Sequence, residues 1–239
     1  MIKQLDILLY KIVDQLKGYR VIKLPYKFYN LVAVITARQI GLQDNFFVNR
    51  LLTNEEKTNI LISTEKRITS RTGRTVPPKI VADLSGEMIE ELLAVLPPIN
   101  RFHLNDFYYR LVRNERDSKI SVVHRDCYFH EITPGWEFGS DEINVKLWIP
   151  LFCPSNKAIG VRTGSHLDEN INDAKIKRVK DIVEFESPHC REILEPVLVK
   201  EGEGLLFPSS LIHGSLPYEQ LDEIRCSVEL TLVFKVNKD

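Results

Sequence analysis

The sequence predicts an antiparallel β core that is preceded by helices packed on one of its faces. Helical periodicity is confined to the first hundred of the 239 residues, whereas the second half is made of short β-rich segments between turn residues. Helices first and strands afterwards is typical of an α+β arrangement. We expect one domain over residues 1–239, with a helical part at 1–100 and a β core at 101–239.

Three helices are predicted in the first part. Met1–Lys17 has apolar residues at helical spacing and charged residues on the opposite face. Leu52–Thr72 begins with Thr53 and Glu56, whose spacing is that of a capping box. Ser85–Leu96 ends before two consecutive prolines, which cannot continue a helix.

The predicted strands alternate between apolar and polar residues, so that each presents one face of each kind. In the segment 143–151 the polar face carries Asn144, Lys146 and Trp148. If a second sheet covers such faces, they line a cavity, which is the layout of a cupin-like jelly roll (double-stranded β-helix) with a small-molecule site inside. Residues 168–191 form a polar insertion without a predicted structure. The predicted strands are Phe107–Asn114, Lys119–Asp126, Ile143–Leu151, Val197–Lys200, Leu205–Pro208 and Arg225–Val236.

The composition argues against several classes of partner. Lysine and arginine (32) balance aspartate and glutamate (33), so no nucleic-acid partner is indicated. The first helix is too polar for a signal peptide or a membrane span, so we expect a cytoplasmic protein without a membrane partner. The four cysteines form no CxxC pair and are expected to be small core residues. The sequence predicts no oligomeric state.

The stretch SVVHRDCYFH contains the first candidate metal ligands. On a strand His124 and Asp126 share a face, and His213 follows a later strand at a glycine turn. Taken singly, these are two buried histidines and a turn aspartate. Taken together, two imidazoles and one carboxylate are the set that holds non-haem Fe(II) and leaves coordination positions open. His130 is interpreted as pocket lining or surface rather than as a ligand.

A candidate anion site follows twelve residues after His213. The guanidinium of Arg225, in a buried cavity, matches a carboxylate in a bidentate manner. Ser227 lies on the same strand face, and Ser215 follows the histidine by two residues. Both hydroxyls are candidate additional donors.

Three ordered stretches carry a family resemblance: HRD at 124–126, VKLWIPL…GVRTGSHL at 145–167, and GEGLLFPSSLIHGS…RCSVEL at 202–230. With them the chain resembles the phytanoyl-CoA dioxygenase-like family of Fe(II)/2-oxoglutarate-dependent oxygenases from about Phe107 to Phe234. Glu203 stands where that family usually has aspartate, and the spacing from histidine to arginine is one residue longer.

The resemblance implies a role for each matching residue. The iron ligands would be His124, Asp126 and His213. Arg225 would bind the distal carboxylate of 2-oxoglutarate. Three further side chains are implied around that cosubstrate: the hydroxyls of Ser215 and Ser227, and the pocket-lining ring of Trp148.

The implied activity is hydroxylation, or another C–H oxidation, of a small-molecule metabolite. Fe(II), the cosubstrate 2-oxoglutarate and dioxygen are required, and succinate and CO2 are released. Asp126 argues against the halogenases of this superfamily, in which a small residue replaces the carboxylate. The alternatives are a cupin-like metal-binding protein without oxygenase activity and a hydrolytic zinc site. Candidate substrate-pocket residues are Tyr109, Asn144, Lys146 and His130, whereas His103 and His189 are expected to be solvated.

Overall fold

The order of elements follows the prediction, with helices leading and strands following. The computed structural model describes residues 2–65, 75–113, 123–130, 136–154, 159–168, 175–179, 182–186, 188–189, 192–216 and 224–236. The helices in these ranges are α1 (Ile2–Ile12), α2 (Tyr26–Gln39), α3 (Asn54–Glu65), α4 (Pro78–Leu92) and the single turn α5 (Cys127–His130).

The predicted capping box is confirmed at the start of α3. The backbone N–H of Thr53 donates to Glu56 Oε2 at 2.8 Å, and the N–H of Glu56 donates to Thr53 Oγ1 at 3.2 Å. Two N–H groups that have no partner inside the helix are thereby satisfied. The second part of the predicted helix, after Glu65, lies outside the described residues.

Helix α2 was not predicted, because it has no clean polar face. Half of its residues are buried, and several of them are β-branched, which is typical of strands. Helical periodicity fades when a helix is buried around most of its circumference.

The strands form two larger antiparallel sheets and one hairpin. The main sheet has the order β1-β8-β3-β10-β2, the second sheet has the order β7-β4-β9, and β5 pairs with β6. The hairpin falls in the polar insertion. The strands are β1 (Arg20–Lys23), β2 (Arg101–Arg113), β3 (Glu142–Phe152), β4 (Ile159–Val161), β5 (Lys175–Val179), β6 (Ile182–Glu186), β7 (Glu195–Val197), β8 (Glu203–Pro208), β9 (His213–Ser215) and β10 (Ile224–Lys235).

Three short strands, β1, β4 and β9, were not predicted from the sequence. Strand β1 lies in the part expected to be helical, and it adds to the edge of the main sheet beside β8. Strands β4 and β9 have three residues each, too few for an alternating pattern to show. Most of the strand predicted at Lys119–Asp126 lies outside the described residues, and within it His124 forms an isolated bridge to His213.

Two apolar clusters lie on opposite faces of the main sheet and confirm the predicted fold class. Leu147 and Val228 belong to the cluster shared with the helices, and α4 packs on β2. Trp148 and Phe207 belong to the other cluster, together with Ile159 of the second sheet. The core is therefore a jelly-roll arrangement of facing antiparallel sheets, with helices outside one of them.

Two smaller expectations concern membranes and cysteines. Among the described residues, no helix combines the length and the apolar character that crossing a membrane requires. Cys153 and Cys226 are buried, as expected of small core residues, and Cys127 is half-buried. Cys190 lies outside the described residues.

Candidate metal centre

The structure brings His124, Asp126 and His213 together between the two sheets. One ligand atom from each residue can be chosen so that all lie within 4.8 Å of one another. A pair of backbone hydrogen bonds holds the two histidines opposite each other: His124 N–H donates to His213 O at 2.9 Å, and His213 N–H donates to His124 O at 3.0 Å. The third residue, Asp126, begins the turn that leads into α5, where Phe129 N–H donates to its carbonyl at 2.9 Å.

The side chains of the three residues converge. The distance from His124 Nε2 to Asp126 Oδ1 is 3.3 Å, and that from His213 Nε2 to Asp126 Oδ2 is 3.6 Å. His213 Nδ1 lies 3.0 Å from the carbonyl oxygen of Leu211, which fixes the hydrogen on Nδ1 and leaves the lone pair on Nε2. Both Nε2 atoms therefore face the carboxylate.

The protonation states suit a divalent cation. Burial would raise the pKa of Asp126, but the adjacent ammonium of Lys146 and the hydrogen bond with His124 hold it well below its usual value. Burial lowers the pKa of His213, so its imidazole is neutral. Asp126 Oδ2 is buried and has no hydrogen-bond partner in the described part of the chain. An anionic carboxylate and neutral imidazoles are the donors that a metal ion requires, so these residues fit one.

Arg225 lies close to this centre through strand β9. It is 2% exposed, and its guanidinium Nη2 donates to the hydroxyl of Ser215, two residues after His213. Ser227, the next residue on the same face of β10, is 1% exposed, and its hydroxyl has no hydrogen-bond partner among the described residues. Trp148 is buried in the apolar cluster between the sheets. All the predicted cosubstrate residues thus lie on the inner side of the core.

A buried charge network beside the triad was only partly visible in the sequence. The ammonium of Lys146 lies 2.6 Å from Asp106 Oδ2, 3.5 Å from Glu229 Oε1 and 3.8 Å from Asp126 Oδ2. Burial would lower the pKa of Lys146, but attraction to the three carboxylates outweighs it and raises the pKa. Burial raises the pKa of Asp106 to about 6, although Lys146 opposes this shift. Thr231 also donates a hydrogen bond to Asp106.

Asp106 was missed because the predicted strand began one residue later, at Phe107, although alternation with Tyr108 and Arg110 places Asp106 on the inner face. His103 lies in a bulge of β2: Phe107 pairs with Leu230 and Phe102 pairs with Leu232, so four residues of β2 lie between these pairs against one residue of β10. The extra residues break the alternation that sequence analysis relies on. Glu229 could have been predicted to face inward, because alternate residues of a strand share a face and Glu229 follows Arg225 and Ser227 at that spacing on β10.

Rings from three segments cover the same end of the network. Trp136 lies 4.9 Å from Lys146 Nζ, measured to the ring centroid, and 4.6 Å from the His103 ring. Phe138 lies 4.9 Å from the His130 ring. Burial, with the nearby charge of Lys146, lowers the pKa of His130 to about 4, so this ring is neutral.

Two of the expected histidine environments were wrong. His103 is 4% exposed and His189 is 7% exposed, so neither is solvated. His189 Nε2 lies 2.9 Å from the hydroxyl of Tyr128, which belongs to α5. Neither environment was readable, because each depends on a partner distant in sequence.

The placement of Tyr109 requires a correction. Its side chain belongs to the cluster between the main sheet and the helices, on the side away from the triad. Its neighbours Tyr108 and Arg110 pair with Glu229 and Ser227 and therefore share the inner face. Tyr109 packs in this cluster, and the residues that face the triad are one position away in the sequence. The prediction chose the wrong face because the register of β2 was not known.

Arg125, between two candidate ligands, is a buried brace for the loops that carry the triad. It is 1% exposed, and its Nη1 donates to the carbonyl oxygens of Ser165 and Ser210. Its Nη2 lies 3.4 Å from Asp168 Oδ2. The side chain therefore fastens the His124–Asp126 segment to the segment that precedes His213.

We expect Arg125→Leu to lower the free energy of unfolding by about 2–4 kcal/mol, because two buried carbonyls lose a charged donor. Urea denaturation followed by circular dichroism measures the change. Arg162→Leu is the control, because Arg162 pairs with Glu192 at the surface and its loss should leave the midpoint nearly unchanged. Equal midpoints for the Arg125 variant and the wild type would contradict the bracing role.

Comparison with known proteins gives structural likenesses only. No protein-family model matches the chain, and no curated protein matches it either. The nickel complex of the non-heme monooxygenase ThoJ is 11% identical, with a TM-score of 0.49, over 95% of this chain and 79% of ThoJ.

Two further solved structures are similar. SnoN, a non-heme alpha-ketoglutarate-dependent epimerase from nogalamycin biosynthesis, is 15% identical with a TM-score of 0.44, over 98% of this chain and 84% of SnoN. EvdMO1 is 21% identical with a TM-score of 0.35, over 56% of this chain. The chain spans about a quarter of EvdMO1 (26%). At these values the likenesses assign neither a reaction nor a substrate.

Proposed function

We propose that the protein is a non-haem Fe(II)- and 2-oxoglutarate-dependent dioxygenase that oxidises a C–H bond of a small-molecule metabolite. The observation that carries the proposal is that strand β9 belongs to both the candidate metal site and the candidate anion site. His213 supplies one candidate ligand there, and Ser215, two residues later, accepts a hydrogen bond from the buried Arg225. A metal-binding protein without a carboxylate cosubstrate has no need of a buried guanidinium beside the metal.

The chain's own residues divide the work. His124, Asp126 and His213 hold the metal ion through two neutral imidazoles and one carboxylate. Arg225 binds the distal carboxylate of 2-oxoglutarate, and the hydroxyl of Ser215 orients the guanidinium. Iron in this site would supply the oxidation of the substrate by dioxygen, with conversion of 2-oxoglutarate to succinate and CO2.

Exclusion of water is the second contribution of the fold. The three candidate ligands are at most 9% exposed, and the ring of Phe129 meets that of His124 edge-on at 5.6 Å. Electrostatic interactions are strong in such a dry site. Of the pocket residues predicted from sequence, Asn144, Lys146 and His130 remain candidates for substrate contacts, and Trp148 remains a candidate for lining the pocket.

The direct test is succinate release from 2-oxoglutarate with Fe(II) under air, in the wild type and in Asp126→Ala. Slow turnover without a primary substrate is expected for the wild type, and none is expected for the variant. Equal succinate release from both would overturn the proposal. Metal analysis of protein purified without oxygen separates an iron site from the alternative zinc site.

Arg225→Met is expected to weaken 2-oxoglutarate binding by about 3 kcal/mol, roughly 100-fold, because a buried charge-assisted pair is lost. Calorimetry under anaerobic conditions, with the metal site loaded, measures the affinity. Metal affinity itself should not change, since Arg225 contributes no ligand. Arg38→Met, which breaks a surface pair with Asp44, is the matched control. Unchanged 2-oxoglutarate affinity in the Arg225 variant would remove this role.

A further inference from the structure

Lys146 is a fixed positive charge beside the candidate metal ligands. It is 2% exposed, and three carboxylates surround its ammonium group. Asp106 and Glu229 hold the ammonium on one side, and the Trp136 ring lies 4.9 Å away. The charge of a lysine so enclosed is held in place and is screened far less than a surface charge.

The position of this charge relative to the metal follows from Asp126. Lys146 Nζ lies 3.8 Å from Asp126 Oδ2. A coordination bond to a carboxylate oxygen is about 2 Å long, so a metal ion held by either oxygen of Asp126 lies within about 8 Å of Nζ. A positive charge at that distance favours the less positive oxidation state of a metal.

The inference rests on the proposed function, because it takes the bound metal to be iron. We propose that Lys146 stabilises the ferrous over the ferric state of this centre, and that Asp106 sets the strength of the effect. The ion pair with Asp106 at 2.6 Å partly neutralises the ammonium, whose distance to Asp126 Oδ2 is longer, at 3.8 Å. Removing Asp106 leaves the metal exposed to the full positive charge of Lys146. Removing Lys146 leaves the surrounding carboxylates without their cation.

Replacing Asp106 and replacing Lys146 should therefore shift the midpoint potential in opposite directions. Asp106→Asn adds one net positive charge near the metal and should raise the Fe(III)/Fe(II) midpoint potential. Lys146→Met removes one positive charge and should lower the potential. The double variant removes both charges. Because Lys146 lowers the pKa of Asp126 more than any other charge does, the potential of the double variant should lie between those of Lys146→Met and the wild type.

Anaerobic spectroelectrochemical titration of the iron-loaded protein, without 2-oxoglutarate, measures these potentials. The expected order, from lowest to highest, is Lys146→Met, the double variant, the wild type and Asp106→Asn. General loosening of the site would shift both single variants in the same direction, and this result would overturn the inference. An unchanged potential in Asp106→Asn would overturn it as well.

The measurement tests the inference even if one variant does not fold, and it separates failure of the inference from failure of the proposed function. If Lys146→Met does not fold, the midpoint potentials of the double variant, the wild type and Asp106→Asn still test the inference. The double variant should fold, since it contains neither member of the ion pair without the other. If the wild type binds no iron, the proposed function itself fails. If iron binds to all the variants but the order is not found, only the role of Lys146 fails.

Discussion

His213→Ala is expected to reduce metal affinity by at least about 100-fold and to abolish 2-oxoglutarate turnover. The side chain supplies one of the three candidate ligands, and its Nε2 faces Asp126 at 3.6 Å. Loss of a group that only orients a ligand already costs 10–100-fold in metal affinity, so loss of a ligand should cost more. Anaerobic titration with Co(II), followed by visible absorption, measures the affinity.

His130→Ala is the matched control for this experiment. His130 is a neutral, half-buried imidazole in the same ten-residue stretch as His124, and it packs against Phe138 at 4.9 Å without belonging to the group of candidate ligands. Its variant should bind Co(II) within a few-fold of the wild type. Tight binding by the His213 variant, or loss of binding by the His130 variant, would show that the ligand set is wrong.

Lys146→Met is expected to lower the free energy of unfolding by about 3–5 kcal/mol at pH 8, because it leaves buried carboxylates without their cation. Asp106 loses its partner at 2.6 Å, and Glu229 loses one at 3.5 Å, although Arg110 still lies 3.8 Å from it. Urea unfolding of the metal-free protein gives the change. Lys235→Met is the control, because Lys235 pairs with Asp141 at the surface, 3.6 Å away.

The loss of stability in Lys146→Met should depend on pH. The folded-state pKa of Asp106 is about 6, above its unfolded value, and it rises further when Lys146 is removed. A carboxyl group with a raised folded pKa binds more protons when folded, so stability falls as pH rises through that window. The deficit of the Lys146 variant should therefore be smaller at pH 5 than at pH 8.

Adding Asp106→Asn to the Lys146 variant should recover part of the lost stability at pH 8. A double-mutant cycle isolates the coupling between the two side chains. A deficit that is independent of pH and unchanged by the second substitution would contradict the pairing.

The strands of the main sheet could be predicted where alternation is long. Strand β3 spans Glu142–Phe152 against a prediction of Ile143–Leu151, and its polar face turned inward as expected. Short strands such as β9 contain too few residues for a period to show. Helix α2 was missed for the opposite reason, since burial on most sides removed its polar stripe.

In the candidate site, the residues that could be predicted are those at fixed spacing along a strand. Arg225 and Ser227 share the inner face of β10, because alternate residues of a strand point the same way. His124 and Asp126 also lie together, although only His124 forms a strand bridge and Asp126 lies in the turn before α5. His103 could not be predicted, since the bulge in β2 interrupts the alternation before Asp106. Trp136 could not be placed, because its contact with Lys146 depends on how a loop folds back.

The central claim is that a metal ion and 2-oxoglutarate share one site. Anaerobic calorimetry of 2-oxoglutarate binding, with and without one equivalent of Fe(II), tests it most directly. We expect 1:1 binding that is at least about tenfold tighter with the metal, because the cosubstrate would contact both the metal and Arg225. Equal affinity in the two titrations, or no binding in either, would contradict it.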